Sequence, residues 1–228
     1  MDETRQPLDL HVHTREGSTC SNMSAERVAA EYHRLGLPAL AITDHHSLAG
    51  VKTLREEFNV NVLPGVEIFV KGSPSKDYGE YLVFAPEEKL EKMIYPVEFY
   101  FDRPFITLED ALARGFFDDG NLVIWCHPPF DYSDWFRFCI THIGEHIDAV
   151  EIANFMSNIP FEDENIHLLK KYKLADLPLV TNSDAHNMKN FMAYHNVFNT
   201  PVLTVQDLIT AVKQKQFEIN IAGGEVLG

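Results

Sequence analysis

A carboxylate and two imidazoles alternate with apolar residues near the start of the chain. Residues 9–14 read DLHVHT, so that Asp9, His11 and His13 are separated by Leu10 and Val12. Because neighbouring side chains of a strand point to opposite faces, the three polar groups would share one face. Burying such a face is costly unless a partner satisfies it. The pattern therefore predicts a polar face that holds a ligand.

Other residues of metal-ligand type follow, or end, further short apolar runs. They are Asp44 and His45 after LPALAIT, Glu67 in VNVLPGVEI, His127 after LVIWC, Asn154 after AVEIA, and Asp184 and His186 after LPLVT. Imidazole suits Zn, Fe and Mn, and a carboxylate can bridge two ions. Two ions close together activate water and neutralise a phosphate oxygen. The set therefore indicates a multinuclear metal site that needs no Ser or Cys nucleophile.

The elements that must position these residues alternate along the chain. The β-branched runs predict strands at 8–12, 37–43, 60–68, 81–84, 122–126, 149–153, 177–181 and 217–221. Between most of them lie helical patterns: a helix opening at Ser24 and closing at Gly36, then 47–58, 107–115, 134–146, 161–173 and 204–215. Residues 71–80 and 95–106 are expected to be loops. This alternation favours a mostly parallel, closed barrel over an open doubly wound sheet, and the strand ends would converge on one mouth.

The composition fits one globular domain over residues 1–228. Hydrophobic residues make up 45% of the chain, and the formal net charge is −15. Such an acidic chain is a poor partner for duplex nucleic acid, which requires clustered Lys and Arg. The three cysteines form no Cys-x-x-Cys pair, and neither a leader nor a membrane-spanning run is evident. We therefore expect a cytoplasmic protein with reduced thiols.

Each motif alone has an ordinary structural explanation. A His-x-His can be a hydrogen-bonded pair, and TDH can be a turn that caps a helix. The segment HIGEH at 142–146 matches a zinc-peptidase pattern, but Gly144 interrupts the continuous helix which that pattern needs. The joint occurrence of ligand-type residues at several strand ends is far harder to explain by chance.

Five motifs together resemble the PHP family, named for polymerase and histidinol phosphatase. DLHVHT, AITDHHSLAG, LPGVEI, WCHPPF and NSDAH occur in the family's order and spacing, and PVLTVQDLITAVKQKQ is similar to the closing helix of standalone members. The resemblance covers nearly the whole chain. It implies a distorted (β/α)7-like barrel, two or three divalent ions (Zn, Mn or Fe) and phosphoester hydrolysis.

The resemblance also implies roles for residues at matching positions. It gives one ion to His11, His13, Glu67 and Asp184, a second to Glu67 and His127, and a third to His45 and His186. Asp44 would lie beside the ions as a catalytic residue that orients His45 or handles a proton.

The second metal site departs from the family pattern. Members often carry a His between the bridging Glu and the later His-Pro, but no histidine lies between Glu67 and His127. Glu80, in YGEYLVF, occupies the matching position, and a carboxylate also binds Zn, Fe and Mn. We expect Glu80 to be a metal ligand if its strand runs opposite to its neighbours or if the preceding loop folds inward.

The motifs say less about the third metal site and about the residues that contact the substrate. Members often place a His or Asp shortly after the His-x-His, where this chain offers Glu16, Thr19 and Cys20. The candidate phosphate contacts are Arg15, Lys71, Arg103 and Asn154. Arg15 is the best placed of these, although a surface salt bridge would explain it equally well.

The leading hypothesis is therefore a metal-dependent phosphoesterase, either a phosphatase or a phosphodiesterase. A metal-bound hydroxide would hydrolyse a small phosphorylated metabolite or nucleotide. Two alternatives stay open. The same hydroxide could attack an amide, as in a deacetylase, or the domain could be a non-catalytic metal-binding scaffold.

Overall fold

The computed structural model describes residues 5–71, 78–94, 98–100, 103–129, 134–159, 162–174 and 176–221. The strands are β1 (Gln6–Leu8), β2 (Leu40–Ile42), β3 (Val62–Lys71), β4 (Tyr78–Phe84), β5 (Glu98–Tyr100), β6 (Arg103–Thr107), β7 (Leu122–Trp125), β8 (Ala149–Asn154), β9 (Leu179–Asn182), β10 (Tyr194–Phe198) and β11 (Phe217–Ile221). The helices are α1 (Ala25–Leu35), α2 (Ala49–Phe58), α3 (Glu87–Met93), α4 (Leu108–Ala113), α5 (Asp134–Ile143), α6 (Asp163–Lys171) and α7 (Val205–Lys213).

The main sheet is curled and mixed. Its strand order is β5-β6-β3-β4-β7-β8-β9, with β2 paired to β3. The pairs β2–β3, β3–β6, β7–β8 and β8–β9 are parallel, whereas β4 runs antiparallel to both β3 and β7. Strand β5 is also antiparallel to β6, so the expectation of mostly parallel strands is not confirmed. The connection from β3 to β4 is too short for a parallel crossover, which needs a dozen or more residues.

The DLHVHT segment joins the two flanks of this sheet through a few backbone hydrogen bonds. Val12 forms an isolated parallel bridge with Ala185, just beyond β9, and the amide of Thr43, just beyond β2, donates to the carbonyl of Val12 at 3.0 Å. The predicted strand at 8–12 is thus replaced by a short β1 and an extended segment. The named strands of the described chain do not close into a full (β/α)7 barrel.

A second sheet contains three antiparallel strands in the order β1-β10-β11. Strand β10 was not predicted from the sequence, and neither were β5, β6 and α3. Parts of the two predicted loops are in fact strands, because β4 begins at Tyr78 and β5 and most of β6 lie within 95–106. Residues 72–77, 95–97 and 101–102 of those loops lie outside the described residues.

Both faces of the main sheet are buried. In β4, Tyr81 and Val83 belong to one core cluster, whereas Leu82 and Phe84 belong to the other. Residues of α1 such as Val28 join the first cluster, and residues of α7 join the second. Burial on both faces explains the nearly continuous apolar runs in the sequence.

The predicted helix ends are confirmed at two helices. Ser24 caps α1, and Gly36 follows that helix with a φ of 62°. Thr204 and Asp207 form a capping box at α7. Helix α5 ends at Ile143, before Gly144, so the HIGEH segment is not a continuous α-helix. In the part of the chain that the structure describes, no helix has the length and apolar character needed to cross a bilayer.

Candidate metal centre

Several connections that follow strands bring ligand-type side chains to one place. The DLHVHT segment carries His11 and His13, and the turn after β2 carries His45, which forms a parallel bridge with Glu67 in β3. Asp184 follows β9 and is held beside the first segment, because the amide of Ala185 donates to the carbonyl of His11 at 3.1 Å. These contacts assemble the side chains from segments far apart in the sequence.

Four side chains form the centre of the cluster, and their nitrogen–oxygen distances lie in the range found between ligands of one ion. Nε2 of His11 lies 3.4 Å from Glu67 Oε2 and 3.4 Å from Asp184 Oδ1. Nε2 of His13 lies 3.3 Å and 3.2 Å from the same two oxygens. Ligands at about 2.0–2.1 Å from a tetrahedral ion are separated by about 3.3 Å. The four atoms therefore have the spacing of ligands around one ion.

The same four ligand atoms are buried and unsatisfied. His11, His13 and Glu67 are at most 1% exposed, and Asp184 is 6% exposed. Their facing atoms have no hydrogen-bond partner among the residues that the structure describes, and Nδ1 of His45 shares this property. Buried polar groups are normally paired, and a group left without a partner points to an ion, a water or a functional role. The donor set fits a divalent cation.

A second group surrounds His127, which follows β7. Its Nε2 lies 3.1 Å from Glu67 Oε1 and 3.0 Å from Glu80 Oε2. Glu80 reaches this position because β4 runs antiparallel to β3 and β7, which satisfies the first of the two conditions expected from the sequence. The buried Cys126 lies beside them, with its Sγ 3.5 Å from Glu67 Oε1. Glu67 thus contacts both groups with different oxygens.

A third group contains His13, His45 and His186, whose candidate ligand atoms lie within 4.8 Å of one another. Nδ1 of His186 interacts with Asp184, which fixes the orientation of the ring. Burial alone would raise the pKa of the Cys20 thiol, but the neighbouring imidazoles of His186 and His45 lower it to about 6. Of the residues available after the His-x-His, Cys20 is therefore one that the two imidazoles predicted for a third ion influence electrostatically.

The electrostatics of the cluster favour a cation. Burial alone would raise the pKa of Glu67, but the facing imidazoles, His11 first, hold it well below its ordinary value. The pKa of Asp184 is likewise held well below its ordinary value, because His11 and His13 outweigh its burial. Burial, assisted by the charge of His45, lowers the pKa of His13 to about 3. The facing carboxylates raise the pKa of His11 and His45, so the cluster attracts positive charge, which protons or a metal ion can supply.

Two of the ligand-type residues have unusual backbones. His127 has a φ of 27° and Asp184 has a φ of 53°. Positive φ values are costly for residues other than glycine, and they cluster at functional sites where the surrounding structure enforces them. Here the His127 side chain contacts Glu67, and the Asp184 side chain contacts His11 and His13.

Glu151, in β8, hydrogen-bonds to several residues of the cluster. It was not identified from the sequence. The fully buried carboxylate accepts from the amide of His127 at 2.6 Å, from Asn154 Nδ2 at 2.8 Å and from Asn182 Nδ2 at 2.8 Å. It also lies 3.3 Å from Nδ1 of His11. A carboxylate behind a ligand histidine fixes the tautomer and orientation of the ring. The signal in the sequence was a lone carboxylate within the apolar run AVEIA.

Both carboxylate oxygens of Asp44 accept hydrogen bonds from neighbouring groups. Asp44 accepts from the amide of Thr14 at 2.6 Å, from Thr14 Oγ1 at 2.7 Å and from Ser18 Oγ at 2.9 Å. Ser18 Oγ also accepts from the amide of His45 at 3.0 Å. Burial, opposed by these hydrogen bonds, raises the pKa of Asp44 to about 6. This geometry orients the segment that carries His45.

The two predicted substrate contacts differ in accessibility. Arg15 directly follows the His-x-His segment, and its side chain is exposed. Asn154 is fully buried, donates to Glu151 and accepts from the amide of Ser157 at 2.8 Å. A contact between Asn154 and substrate would require these bonds to open.

The fold resembles several solved structures of low sequence identity. PsfC from Pseudomonas syringae is 17% identical with a TM-score of 0.63, over 96% of this chain and 93% of that protein. A predicted metal-dependent phosphoesterase from Bifidobacterium adolescentis is 17% identical with a TM-score of 0.55, over 80% and 88%. An amidohydrolase from Chromobacterium violaceum, with bound sulfate and no metal, is 13% identical with a TM-score of 0.56, over 92% and 96%.

The sequence itself matches one family. A search of the curated proteins finds no match. The family model for the PHP domain matches residues 9–134, which is more than half of the chain and includes the segments with His11, His13, His45, Glu67 and His127. This match agrees with the resemblance seen in the motifs and with the geometry of the cluster. The chain therefore belongs to the PHP domain family.

Proposed function

We propose that this protein is a metal-dependent phosphoesterase that hydrolyses a small phosphorylated metabolite or nucleotide. The observation that carries the proposal is the set of buried, unsatisfied nitrogen and oxygen atoms around Glu67, spaced at 3.2–3.4 Å. Family membership and the resemblance to a predicted phosphoesterase support phosphoester chemistry. We also propose that residues 1–228 form one domain of the distorted seven-stranded barrel type.

The cluster would hold two or three divalent ions of Zn, Mn or Fe. We assign the first ion to His11, His13, Glu67 and Asp184, the second to Glu67, Glu80 and His127, and the third to His45 and His186. Such ions activate water and neutralise charge on a phosphoester. The mixture of imidazoles and carboxylates suits all three metals.

The chain's own residues hold these ligands in place. Glu67 would bridge the first and second ions, because its two oxygens face different histidines. Asp44 would act mainly by orienting His45 through Ser18, since its oxygens already have partners. The alternative role in proton transfer requires one of these hydrogen bonds to open.

Arg15 is our candidate for binding the phosphate group of the substrate. It is exposed and lies two residues beyond a proposed ligand, His13. Arg15→Ala should raise KM for the substrate with a smaller effect on kcat, because a ground-state contact is lost. Arg27→Ala on the exposed face of α1 is the control and should leave both constants unchanged. Equal effects of the two variants would contradict this assignment.

Two observations bear on the size of the substrate and on other activities. The net charge of −15 opposes long polyanions, which favours small substrates over duplex nucleic acid. The resemblance to an amidohydrolase keeps amide hydrolysis as a second candidate function. A non-catalytic scaffold is disfavoured, because a decayed site would lose several ligands and this cluster keeps them together.

A metal and substrate screen distinguishes these functions. The purified protein is stripped with chelator, reloaded with Zn, Mn or Fe, and assayed on phosphomonoesters, phosphodiesters and acyl amides. We expect metal-dependent turnover of a phosphoester, and a loss of more than about 100-fold in His13→Ala and Asp184→Ala, since even substitutions behind the ligands cost about 10–100-fold. His33→Ala on the surface of α1 is the control. Turnover of amides alone, or chelator-resistant activity, would refute the proposal.

Glu80 can be tested as the ligand that replaces the usual histidine. Glu80→Ala should lose about one ion per chain, whereas Glu80→His should keep that ion. Imidazole is neutral, so Glu80→His should also make the metal-activated water more acidic and lower the pH optimum. Metal content by elemental analysis and the pH profile are the two measurements. Wild-type metal content in Glu80→Ala would show that Glu80 is only a buried neighbour of His127.

A further inference from the structure

A gap in the strand pairing of β3 lies beside Glu67, the proposed bridging ligand. On this edge of β3, β2 pairs as far as Pro64, and β6 pairs at Val70 and Lys71. The turn after β2 lies along the residues between them, where His45 forms its bridge with Glu67. Because the backbone groups of a buried strand need hydrogen-bond partners, this turn must supply them.

His46 supplies these partners with both its main chain and its side chain. Its amide donates to the carbonyl of Glu67 at 2.9 Å, and its Nε2 accepts from the amide of Phe69 at 2.8 Å. The imidazole nitrogen thus occupies the place that a carbonyl oxygen of a neighbouring strand would take. In this way His46 binds the main chain of β3 at the ligand Glu67 and two residues beyond it.

The contact with Phe69 fixes the chemical form of the imidazole. A backbone amide can only donate, so Nε2 of His46 carries no proton and the ring proton lies on Nδ1. That Nδ1 is buried and has no hydrogen-bond partner among the described residues, and His46 has a φ of 46°. A buried unpaired N–H and a left-handed backbone are both costly, so the bonds to β3 must offset them.

These bonds also fix two proposed metal ligands relative to each other. His45, the residue before His46, places its Nδ1 2.9 Å from Glu67 Oε2. The ring of His45 also packs against that of Phe69, with 5.7 Å between centroids. A shift of His46 away from β3 would therefore move His45 away from both Glu67 and Phe69.

We propose that His46 is a positioning residue that holds His45 and Glu67 at the separation which their metal ions require. The proposal rests on the proposed metal centre, but His46 itself binds no ion, because its Nε2 is occupied by the amide of Phe69. A residue that orients ligands from outside the coordination sphere contributes about 10–100-fold to metal affinity. We therefore expect the loss of the His46 acceptor to weaken metal binding, beyond its effect on stability.

Two substitutions of His46 separate its acceptor from its bulk. His46→Leu keeps a side chain of similar size without an acceptor, whereas the amide oxygen in His46→Gln can accept from Phe69. His195→Leu is the matched control, because His195 in β10 interacts with the carbonyl of Met192 and with Asn220, outside the metal centre. Competition with a chromophoric chelator gives the zinc affinity of each full-length variant, and chemical denaturation gives its stability.

We expect His46→Leu to bind zinc about 10–100-fold more weakly than wild type, and His46→Gln to recover most of that affinity. His195→Leu should bind zinc as wild type does, even if it is destabilised to a similar extent. Wild-type zinc affinity in His46→Leu, or equal losses in His46→Leu and His46→Gln, would overturn the role of the acceptor. Failure of the wild type to bind zinc would overturn the proposed metal centre instead, so the two failures are distinguishable.

Nitrogen NMR of the wild type tests the proposal even if His46→Leu does not fold. In the zinc-loaded, isotope-labelled protein, His46 should give the signals of a neutral ring protonated at Nδ1, with a coupling across the hydrogen bond to the amide of Phe69. A ring protonated at Nε2, or zinc bound to a nitrogen of His46, would overturn the proposal.

Discussion

Glu151 offers the sharpest test of how the fold holds the metal ligands. Its carboxylate is fully buried and lies within hydrogen-bonding distance of four donors on His11, His127, Asn154 and Asn182. Two of these residues are proposed ligands of different ions. The substitution Glu151→Gln keeps the size and shape of the side chain and removes its charge and one of its acceptors.

The structure gives the magnitude of the effect. Glu151 Oε1 faces His11 Nδ1 and Asn182 Nδ2, and Oε2 faces Asn154 Nδ2 and the amide of His127. The NH2 of the glutamine side chain cannot accept a hydrogen bond, so two of the four donors lose their acceptor. Each buried donor left unpaired costs about 1–3 kcal/mol, which lowers the free energy of unfolding by about 2–6 kcal/mol. Loss of such a carboxylate also weakens metal binding by about 10–100-fold.

Two assays measure these effects. Denaturant unfolding of the chelator-treated protein gives the free energy of unfolding, and competition with a chromophoric chelator gives the zinc affinity. Glu145→Gln is the matched control, because the Glu145 side chain is 87% exposed, and it should change stability by less than about 0.5 kcal/mol. If Glu151→Gln behaves like Glu145→Gln in both assays, Glu151 does not organise the site.

Three further predictions concern packing, helix capping and pH. Gly50→Ala should lower the free energy of unfolding by about 1–3 kcal/mol, because a Cβ there would lie 2.3 Å from Asp44 Oδ2. Chemical denaturation measures this change. An unchanged unfolding midpoint would contradict the close packing around Gly50. Thr204→Ala should remove the cap at Asp207 and cost about 1 kcal/mol in the same assay, with zinc affinity unchanged. Zinc affinity should fall as the pH is lowered, because protons compete for the imidazole ligands, and calorimetry in several buffers should detect proton release on binding.

Much of the fold follows from patterns that are local in sequence. Ser24, Gly36 and Thr204 mark helix ends through short-range capping chemistry, which reads directly from the sequence. The direction of β4 does not follow from its composition, because YLVF would be apolar in either orientation. Strand β5 has only three residues, and β10 pairs with β1 near the other end of the chain, so neither strand is evident from a local pattern.

The proposed metal ligands were predictable because they are polar residues at the ends of apolar runs. His11, His13, Glu67, Asp184 and His127 all lie in the cluster, and the antiparallel direction of β4 brings Glu80 beside them. The supporting residues were harder to predict. Glu151 and Ser18 act through hydrogen bonds to groups far away in the chain, and a lone polar residue carries no signal of its partners.

The electrostatic influence of His186 and His45 on Cys20 was equally inaccessible from the sequence. The motif patterns show that a residue after the His-x-His could reach a third site, but they do not choose among Glu16, Thr19 and Cys20. The choice depends on the turn at residues 18–22, which is set by hydrogen bonds to His13 and His186. Side-chain position in such a turn is a tertiary property.

The most direct test of the central claim is a crystal structure of the zinc-loaded protein with an anomalous difference map. We expect one peak at about 2.0–2.2 Å from the facing atoms of His11, His13, Glu67 and Asp184, and a second peak between Glu67 and His127. Both peaks should share Glu67 as a ligand. Zinc-loaded crystals with no anomalous peak at Glu67, or with peaks only at surface histidines, would contradict a metal centre in this fold.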